Sequence, residues 1–226
     1  MNKVKFYPVG NGDTVLIISN EYKILTDIHY RSNADDRDQD EYDISSDLRD
    51  ECGDNISVFI NTHPDKDHIL GFENLFHTGD PSKRKNDSEL LLVNEIWITP
   101  YVLNITNPTD QSKAFVNEVK RRHALEGVNV EKDGNRLKLI SVDDTSDTHG
   151  TFGGVLTWEI LSPIAEYCEL AEDDDGERNN TSIVIRWKFS SRDNTFAFLL
   201  AGDAEKDVWE RLNDEYEAEQ LEWNCL

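Results

Sequence analysis

Basic side chains are scarce in this chain. Its 226 residues carry 23 Lys and Arg against 46 Asp and Glu, a formal net charge of −23. A polyanion repels other polyanions, so adhesion to nucleic acid or to an anionic membrane surface is disfavoured. Nucleic acid stays open as a substrate, but the charge does not favour it. Cysteine is also rare. Cys52, Cys168 and Cys225 are odd in number and widely spaced. That pattern argues against a disulfide framework or a zinc ribbon and fits a reduced, cytoplasmic protein. Long apolar runs are missing, so no membrane-spanning helix is expected. The first residues enter a strand pattern at once and lack the apolar stretch of a secretory signal. The acidic excess gathers in residues 33–54 and 166–177. Solvated loops and a polar helix face account for such runs, and recruitment of a basic protein partner is the alternative.

What is present suffices for a packed core. Hydrophobic residues make up 37% of the chain, with 12 Gly and 6 Pro. The length suits one sizeable domain, and no repeat or linker divides residues 1–226. Short apolar runs at 3–8, 14–19 and 22–27, separated by turn residues, predict an antiparallel meander. Further strands are expected at 56–61, 93–99, 136–142, 155–161, 182–189 and 196–201. Helices are expected at 43–52, 110–127 (with Gly127 as its C-cap) and 204–216. Strands outnumber helices, and the helices fall singly between strand groups. This predicts an α/β fold of sheets packed on each other with helices outside.

The densest chemistry follows the apolar run Ile56-Ser57-Val58-Phe59-Ile60. There the chain reads Thr62-His63-Pro64-Asp65-Lys66-Asp67-His68. Neutral imidazole and ionised carboxylate are both good ligands for divalent cations, and a strand that runs into such a cluster reads as a metal loop. The alternative for Asp67 is a helix cap. A second candidate is Asp203, in Leu200-Ala201-Gly202-Asp203-Ala204, where another buried-looking strand ends. Alone it reads as the N-cap of the last helix. Beside the His63 cluster it reads as a carboxylate able to bridge two ions. His29 also lies at a strand end, two residues after Asp27. Lys83-Arg84-Lys85 and Lys120-Arg121-Arg122 are either solvated surface or phosphate contacts.

Four stretches together resemble the metallo-β-lactamase superfamily, in particular the branch similar to the hydrolase domain of the competence protein ComEC. They are Val9-Gly10-Asn11-Gly12-Asp13, Thr62 to His68, Asn179-Asn180-Thr181-Ser182 and Leu200 to Ala204, in the family's order. The resemblance implies an αββα sandwich with a site for two divalent ions, zinc or manganese. His63 and Asp65 would bind the first ion, Asp67 and His68 the second, and Asp203 would bridge. Asp67 and His68 would also carry the catalysis. Asn180 falls where many relatives have His and is a possible weak ligand. Oxygen donors in place of imidazoles shift preference from zinc toward manganese or magnesium. Relatives carry a further strand and a His-His block after the last helix. This sequence stops short of one, so the resemblance implies a truncated member with an incomplete second sheet and a loosely held second ion.

The function implied is a metal-dependent hydrolase, most readily a phosphodiesterase or nuclease acting on a phosphodiester or another small ester. Other hydrolases of the same site, such as a lactonase, a thioesterase or a small cyclic-nucleotide phosphodiesterase, are the first alternative. An inactive binding module with acidic interaction loops is the second.

Overall fold

The computed structural model describes residues 2–31, 42–85, 88–142, 147–173, 175–190, 195–218 and 221. The acidic run at 35–41, the side chains of 172–177 and Cys225 lie outside the described residues. The chain begins with β1 (Asn2–Phe6), β2 (Val15–Ser19) and β3 (Tyr22–Thr26), then a short β4 (Ile28–His29). Next come α1 (Ile44–Cys52), β5 (Asn55–Ile60), the single turns α2 (Lys66–Ile69) and α3 (Phe72–Leu75), and β6 (Leu92–Ile98). The turn α4 (Tyr101–Asn104) leads to α5 (Lys113–His123) and β7 (Arg136–Leu139). The second half holds β8 (His149–Phe152), β9 (Leu156–Ser162), α6 (Ala165–Asp173), β10 (Val184–Ser190), β11 (Thr195–Leu200) and α7 (Lys206–Glu215).

Two sheets form. The first has the order β1-β2-β3-β5-β6-β7, and the second β11-β10-β9-β8. The first three strands are an antiparallel meander, and β3, β5, β6 and β7 are parallel. The second sheet is antiparallel throughout.

Alternation along the strands sets the layers, because successive side chains leave opposite faces. Leu16, Leu25, Phe59 and Ile96 point to α1, α3 and α5, where Leu48, Phe72, Phe115 and Val119 meet them. Their neighbours Ile17, Ile24, Val58, Ile60 and Trp97 face the second sheet and pack on Trp158, Ile160, Ile185, Trp187 and Phe198. The far side of that sheet offers Leu161, Val184 and Leu199 to Val208 and Leu212 of α7. The order is therefore helix, sheet, sheet, helix. β11 is the terminal strand of its sheet among the described residues.

The expected helix at 110–127 is shorter, and Gly127 does not cap it. Ser112 and Lys113 both donate to the Thr109 carbonyl, which makes a turn before α5. Ala124 is its C-cap, and Gly127 opens a separate 3-10 turn. β8 has no counterpart among the expected strands. Its Gly150 lacks the side chain that marks a strand, yet a Cβ there would sit 2.5 Å from the Trp158 ring. The glycine is what lets the indole lie across β8.

Two arginines read as candidate phosphate contacts serve the scaffold instead. Buried Glu118 accepts from Arg121 Nε at 2.9 Å, from Arg122 Nε at 2.8 Å and from the Gly79 amide at 2.7 Å. Arg122 reaches on to the carbonyls of Val93 and Arg136, tying α5 to β6 and β7. Arg84 likewise donates to the Leu90 carbonyl, at the end of the sheet opposite the loop at 61–68.

Burial would raise the Glu118 carboxyl, but Arg121, Arg122 and the Gly79 amide outweigh it and hold it below the ordinary range. A depressed carboxyl stabilises the fold above its unfolded pKa, and that contribution is lost as pH falls through the folded value. Glu118→Gln should therefore cost about 3 kcal/mol near neutral pH, the scale of breaking a buried ion pair. Urea titrations of both proteins should show the gap closing below about pH 4. A gap that persists undiminished at pH 3 would show that the charge of Glu118 is not what matters.

Candidate metal centre

The parallel strands β3, β5 and β6 end together, since Thr26 pairs with Ile60 and Ile60 with Trp97. In open α/β sheets the crevice beyond such carboxyl ends is where ligands bind. Here it receives Asp27 from β3 and residues 61–68 from β5. The second sheet contributes Ser182 before β10 and Asp203 after β11.

Asp27 organises the crevice. Its backbone takes the left-handed conformation, φ 54°, uncommon outside glycine and tolerated by Asp and Asn. Its amide donates to the Ile60 carbonyl at 2.8 Å. One carboxylate oxygen accepts from the Thr62 amide at 2.8 Å and Asn61 Nδ2 at 3.1 Å. The other accepts from Thr62 Oγ1 at 2.6 Å and His68 Nδ1 at 2.8 Å. His68 is thereby oriented with Nε2 turned away from Asp27. A carboxylate behind an imidazole is the usual support for a metal-binding histidine.

Three ligand-type atoms converge in front. Atoms of His63, His68 and Asp203 all lie within 4.8 Å of one another. His68 Nε2 is 3.3 Å from Asp203 Oδ1, and His63 Nε2 is 3.9 Å from Asp203 Oδ2. The two imidazole rings stand 4.0 Å apart between centroids. His63 is fully buried, and its Nε2 has no hydrogen-bond partner among the described residues. Leaving a buried polar atom unpaired is costly, so such an atom asks for an explanation. Two imidazole nitrogens and a carboxylate oxygen are a suitable set for a divalent cation, with coordination positions left open.

The two imidazoles differ in basicity. Burial pushes His63 down to about 3, helped by the neighbouring His68 and Arg178, so its Nε2 lone pair stays available. Burial also works against a charge on His68. The charge and hydrogen bond of Asp27, with Asp203 and Asp67, overcome it and push His68 up to about 9. Asp203 is raised by burial and by Asp67, Asp27 and Asp65, against the opposing pull of His68. Asp13 is also raised, by burial and by Asp27, Asp203 and Asp67, which places its charge in the same field.

The other expected residues lie close by in different roles. Asp203 is not a helix cap, because Glu205 holds that position before α7. Asp67 sits in the first turn of α2, where Asp65 is the N-cap without a side-chain bond. Neither Asp65 nor Asp67 belongs to the three-residue group. Asp65 Oδ1 faces Arg178 Nη1 at 3.4 Å instead. Asn180 is buried, two residues before Ser182, whose Oγ lies 3.4 Å from His63 Nδ1. His29 braces the loop from behind, its Nδ1 donating to the Asp67 carbonyl at 3.1 Å while Nε2 accepts from Arg31 at 3.2 Å. The part played by Asp27 was missed in the sequence. Its only local sign was an acid at a strand end, two residues from His29.

The chain matches no family model and no curated protein. Solved structures give distant likenesses. One is Rm3 metallo-β-lactamase, 15% identical with a TM-score of 0.44, the match covering 88% of this chain and 58% of that one. Another is MEM-A1, a subclass B3 metallo-β-lactamase isolated from a soil metagenome library, at 15% identity and TM-score 0.45, covering 87% and 58%. A third is BJP-1, a subclass B3 metallo-β-lactamase of Bradyrhizobium japonicum, at 14% and 0.41, covering 89% and 60%. The matches thus cover less than two thirds of each of those chains. The layering of this chain, read from its own sheet order and core, is helix, sheet, sheet, helix. These likenesses carry no argument about family or substrate.

The two halves of the crevice meet at Gly202, which has φ 51°. A Cβ there would lie 2.5 Å from Thr62 Oγ1. Gly202→Ala should therefore push the Asp203 turn off the Asp27–Thr62 network and cost about 1–3 kcal/mol. Gly154→Ala is the comparison, since Gly154 has a similar φ of 70° and nothing within 4 Å. Denaturant midpoints should fall further for Gly202→Ala. Equal losses would mean that backbone conformation alone, not the contact with Thr62, fixes this glycine.

Proposed function

We propose that this chain is a metal-dependent hydrolase that cleaves phosphodiesters. The observation that carries the reading is the convergence of His63, His68 and Asp203 around a buried imidazole nitrogen with no hydrogen-bond partner among the described residues. A divalent ion held there supplies Lewis acidity toward a phosphoryl oxygen and lowers the pKa of water, the general basis of metal-assisted hydrolysis. His63 presents a neutral Nε2. His68 is held in register by Asp27 and must give up its Nε2 proton to act as a ligand. Asp203 closes the set from the second sheet and is exposed enough to meet substrate.

The resemblance of the four sequence stretches to the ComEC-like branch supports extending this to two ions. His63 and Asp65 would serve one, Asp67 and His68 the other, and Asp203 both, with Asn180 near the first. Asp65 would then leave Arg178 for the ion. The high share of oxygen donors supports manganese over zinc. Phosphodiester cleavage adds water across a P–O bond, giving a phosphomonoester and an alcohol. The same branch resemblance supports that bond over a lactone or thioester.

The test has two readouts. Calorimetric titration and thermal melts with Mn²⁺ or Zn²⁺ should show binding and a raised melting temperature, since an ion that binds only the folded state stabilises it. His68→Ala and Asp203→Ala should abolish the rise, and Asp27→Asn should weaken affinity about 10–100-fold, as loss of a supporting carboxylate does. Bis(p-nitrophenyl) phosphate turnover should follow metal occupancy. If no divalent ion shifts the melt, the hydrolase reading fails. If Mn²⁺ binds but only lactone or thioester substrates turn over, the bond assignment fails.

A further inference from the structure

Thr62 lies between the two imidazoles and the carboxylate that backs one of them. Its hydroxyl oxygen is 2.6 Å from Asp27 Oδ2, 3.3 Å from His63 Nδ1 and 3.4 Å from His68 Nδ1. Thr62 is buried, so its hydroxyl depends on these neighbours for its hydrogen bonds.

Few hydrogens are available to this group. A carboxylate only accepts, and a hydroxyl has one hydrogen to give. The 2.6 Å bond commits the Thr62 hydrogen to Asp27 and leaves Oγ1 with its lone pairs alone. His68 Nδ1 spends its own hydrogen on Asp27 at 2.8 Å. His63 Nδ1 can therefore bond Thr62 only by donating. Burial keeps the His63 ring neutral, and a neutral imidazole has one N–H. With that hydrogen on Nδ1, Nε2 is left as a lone pair. Its surroundings agree. Asp203 Oδ2 stands 3.9 Å from Nε2, beyond hydrogen-bond reach, so a hydrogen on Nε2 would be buried without an acceptor. A lone pair there instead faces the position shared with His68 and Asp203.

The Thr62 side chain is held where this requires. Its amide also donates to Asp27, at 2.8 Å, so one residue clasps both carboxylate oxygens. Gly202 packs so closely that a Cβ there would meet Oγ1. Threonine is β-branched and stiff about χ1. Ser182 is the competing influence. Its Oγ lies 3.4 Å from His63 Nδ1, and a serine hydroxyl donates as readily as it accepts. A hydrogen bond donated by Ser182 would put the ring hydrogen on Nε2. Thr62 is nearer, and its hydrogen is already spent.

We infer that Thr62 is a positioning residue for His63, whose hydroxyl passes the polarity of Asp27 to the ring and holds the ring hydrogen on Nδ1. One carboxylate thus orders both imidazoles, His68 directly and His63 through Thr62. The inference deepens the hydrolase reading and rests on it only for the use made of the Nε2 lone pair.

The test is long-range ¹H–¹⁵N correlation of the imidazole nitrogens in the labelled, metal-free full chain at neutral pH. The His63 signals are assigned by their loss in His63→Gln. His63 should show the Nδ1–H tautomer. Thr62→Val keeps the branched shape without the hydroxyl and should move the ring wholly or partly to Nε2–H. Thr62→Ser should restore Nδ1–H, and Ser182→Ala should leave it in place. Zn²⁺ affinity, measured by calorimetric titration, should fall about 10–100-fold in Thr62→Val, as on loss of support behind a ligand, and return in Thr62→Ser.

An Nε2–H tautomer in the unaltered chain overturns the inference. So does an Nδ1–H signal that survives in Thr62→Val, or one that is lost in Ser182→Ala, which would make Ser182 the acceptor. Should Thr62→Val not fold, the unaltered chain and Ser182→Ala still decide. The two readings fail separately. The expected tautomers without any Zn²⁺ binding sink the metal centre alone. Zn²⁺ binding by a chain whose free His63 is Nε2–H sinks the role of Thr62 alone.

Discussion

The carboxylate of Asp27 is the joint on which the crevice depends. Four donors converge on its two oxygens, from Asn61, from the amide and hydroxyl of Thr62, and from His68. The residue is buried, so those bonds replace hydration that the carboxylate has lost. Each donor comes from the stretch that leaves β5. The bonds therefore fix the exit path of the chain from one parallel strand against the end of the next. Asn61 Nδ2 extends the joint by also donating to the His63 carbonyl at 2.7 Å. The cost of a left-handed backbone at Asp27 is accepted where it lets one side chain close four contacts.

That joint produces an unequal pair from two identical side chains. His63 and His68 lie with their rings close but tilted and are both buried, yet one is pushed far below and the other well above the ordinary imidazole range. The difference is which ring touches a carboxylate through Nδ1. His68 is backed by Asp27 at 2.8 Å, while His63 Nδ1 meets, among the described residues, two hydroxyls, Thr62 Oγ1 at 3.3 Å and Ser182 Oγ at 3.4 Å. Hydroxyls orient a ring without charging it. The arrangement gives one nitrogen donor that is ready and one whose basicity is raised from behind.

The second sheet is needed to finish the group. Asp203 arrives from β11, and Gly202 approaches Thr62 so closely that only a hydrogen fits. The inter-sheet core, with Trp97 against Trp158 and Ile60 among its buried residues, sets the distance at which these two strand ends meet. Packing far from the crevice thus decides whether Asp203 stands within reach of His68. The αββα order is in this sense part of the site and not merely its support.

Much of this could be read from the chain. Alternation in Leu16-Ile17 and Val58-Phe59-Ile60 announced strands with two apolar faces, and the run from Thr62 to His68 announced a cluster of ligand-type side chains, because both are local signals. The strand ends that carry Asp27 and Asp203 were legible too. The meeting of Asp203 with the His63 cluster was implied by the family resemblance and not by any local pattern, since none states how far apart two sheet edges lie. The sequence likewise could not tell that Arg121 and Arg122 point inward to Glu118, or that Asp65 faces Arg178, because a charge on a helix or loop has no direction until its neighbours are placed. It hid β8, whose Gly150 suppresses strand propensity while making room for Trp158. Composition and periodicity determined the layers and the donor types. Only tertiary packing decided which donors converge, because coordination distances of a few ångströms are set by contacts between residues more than a hundred positions apart.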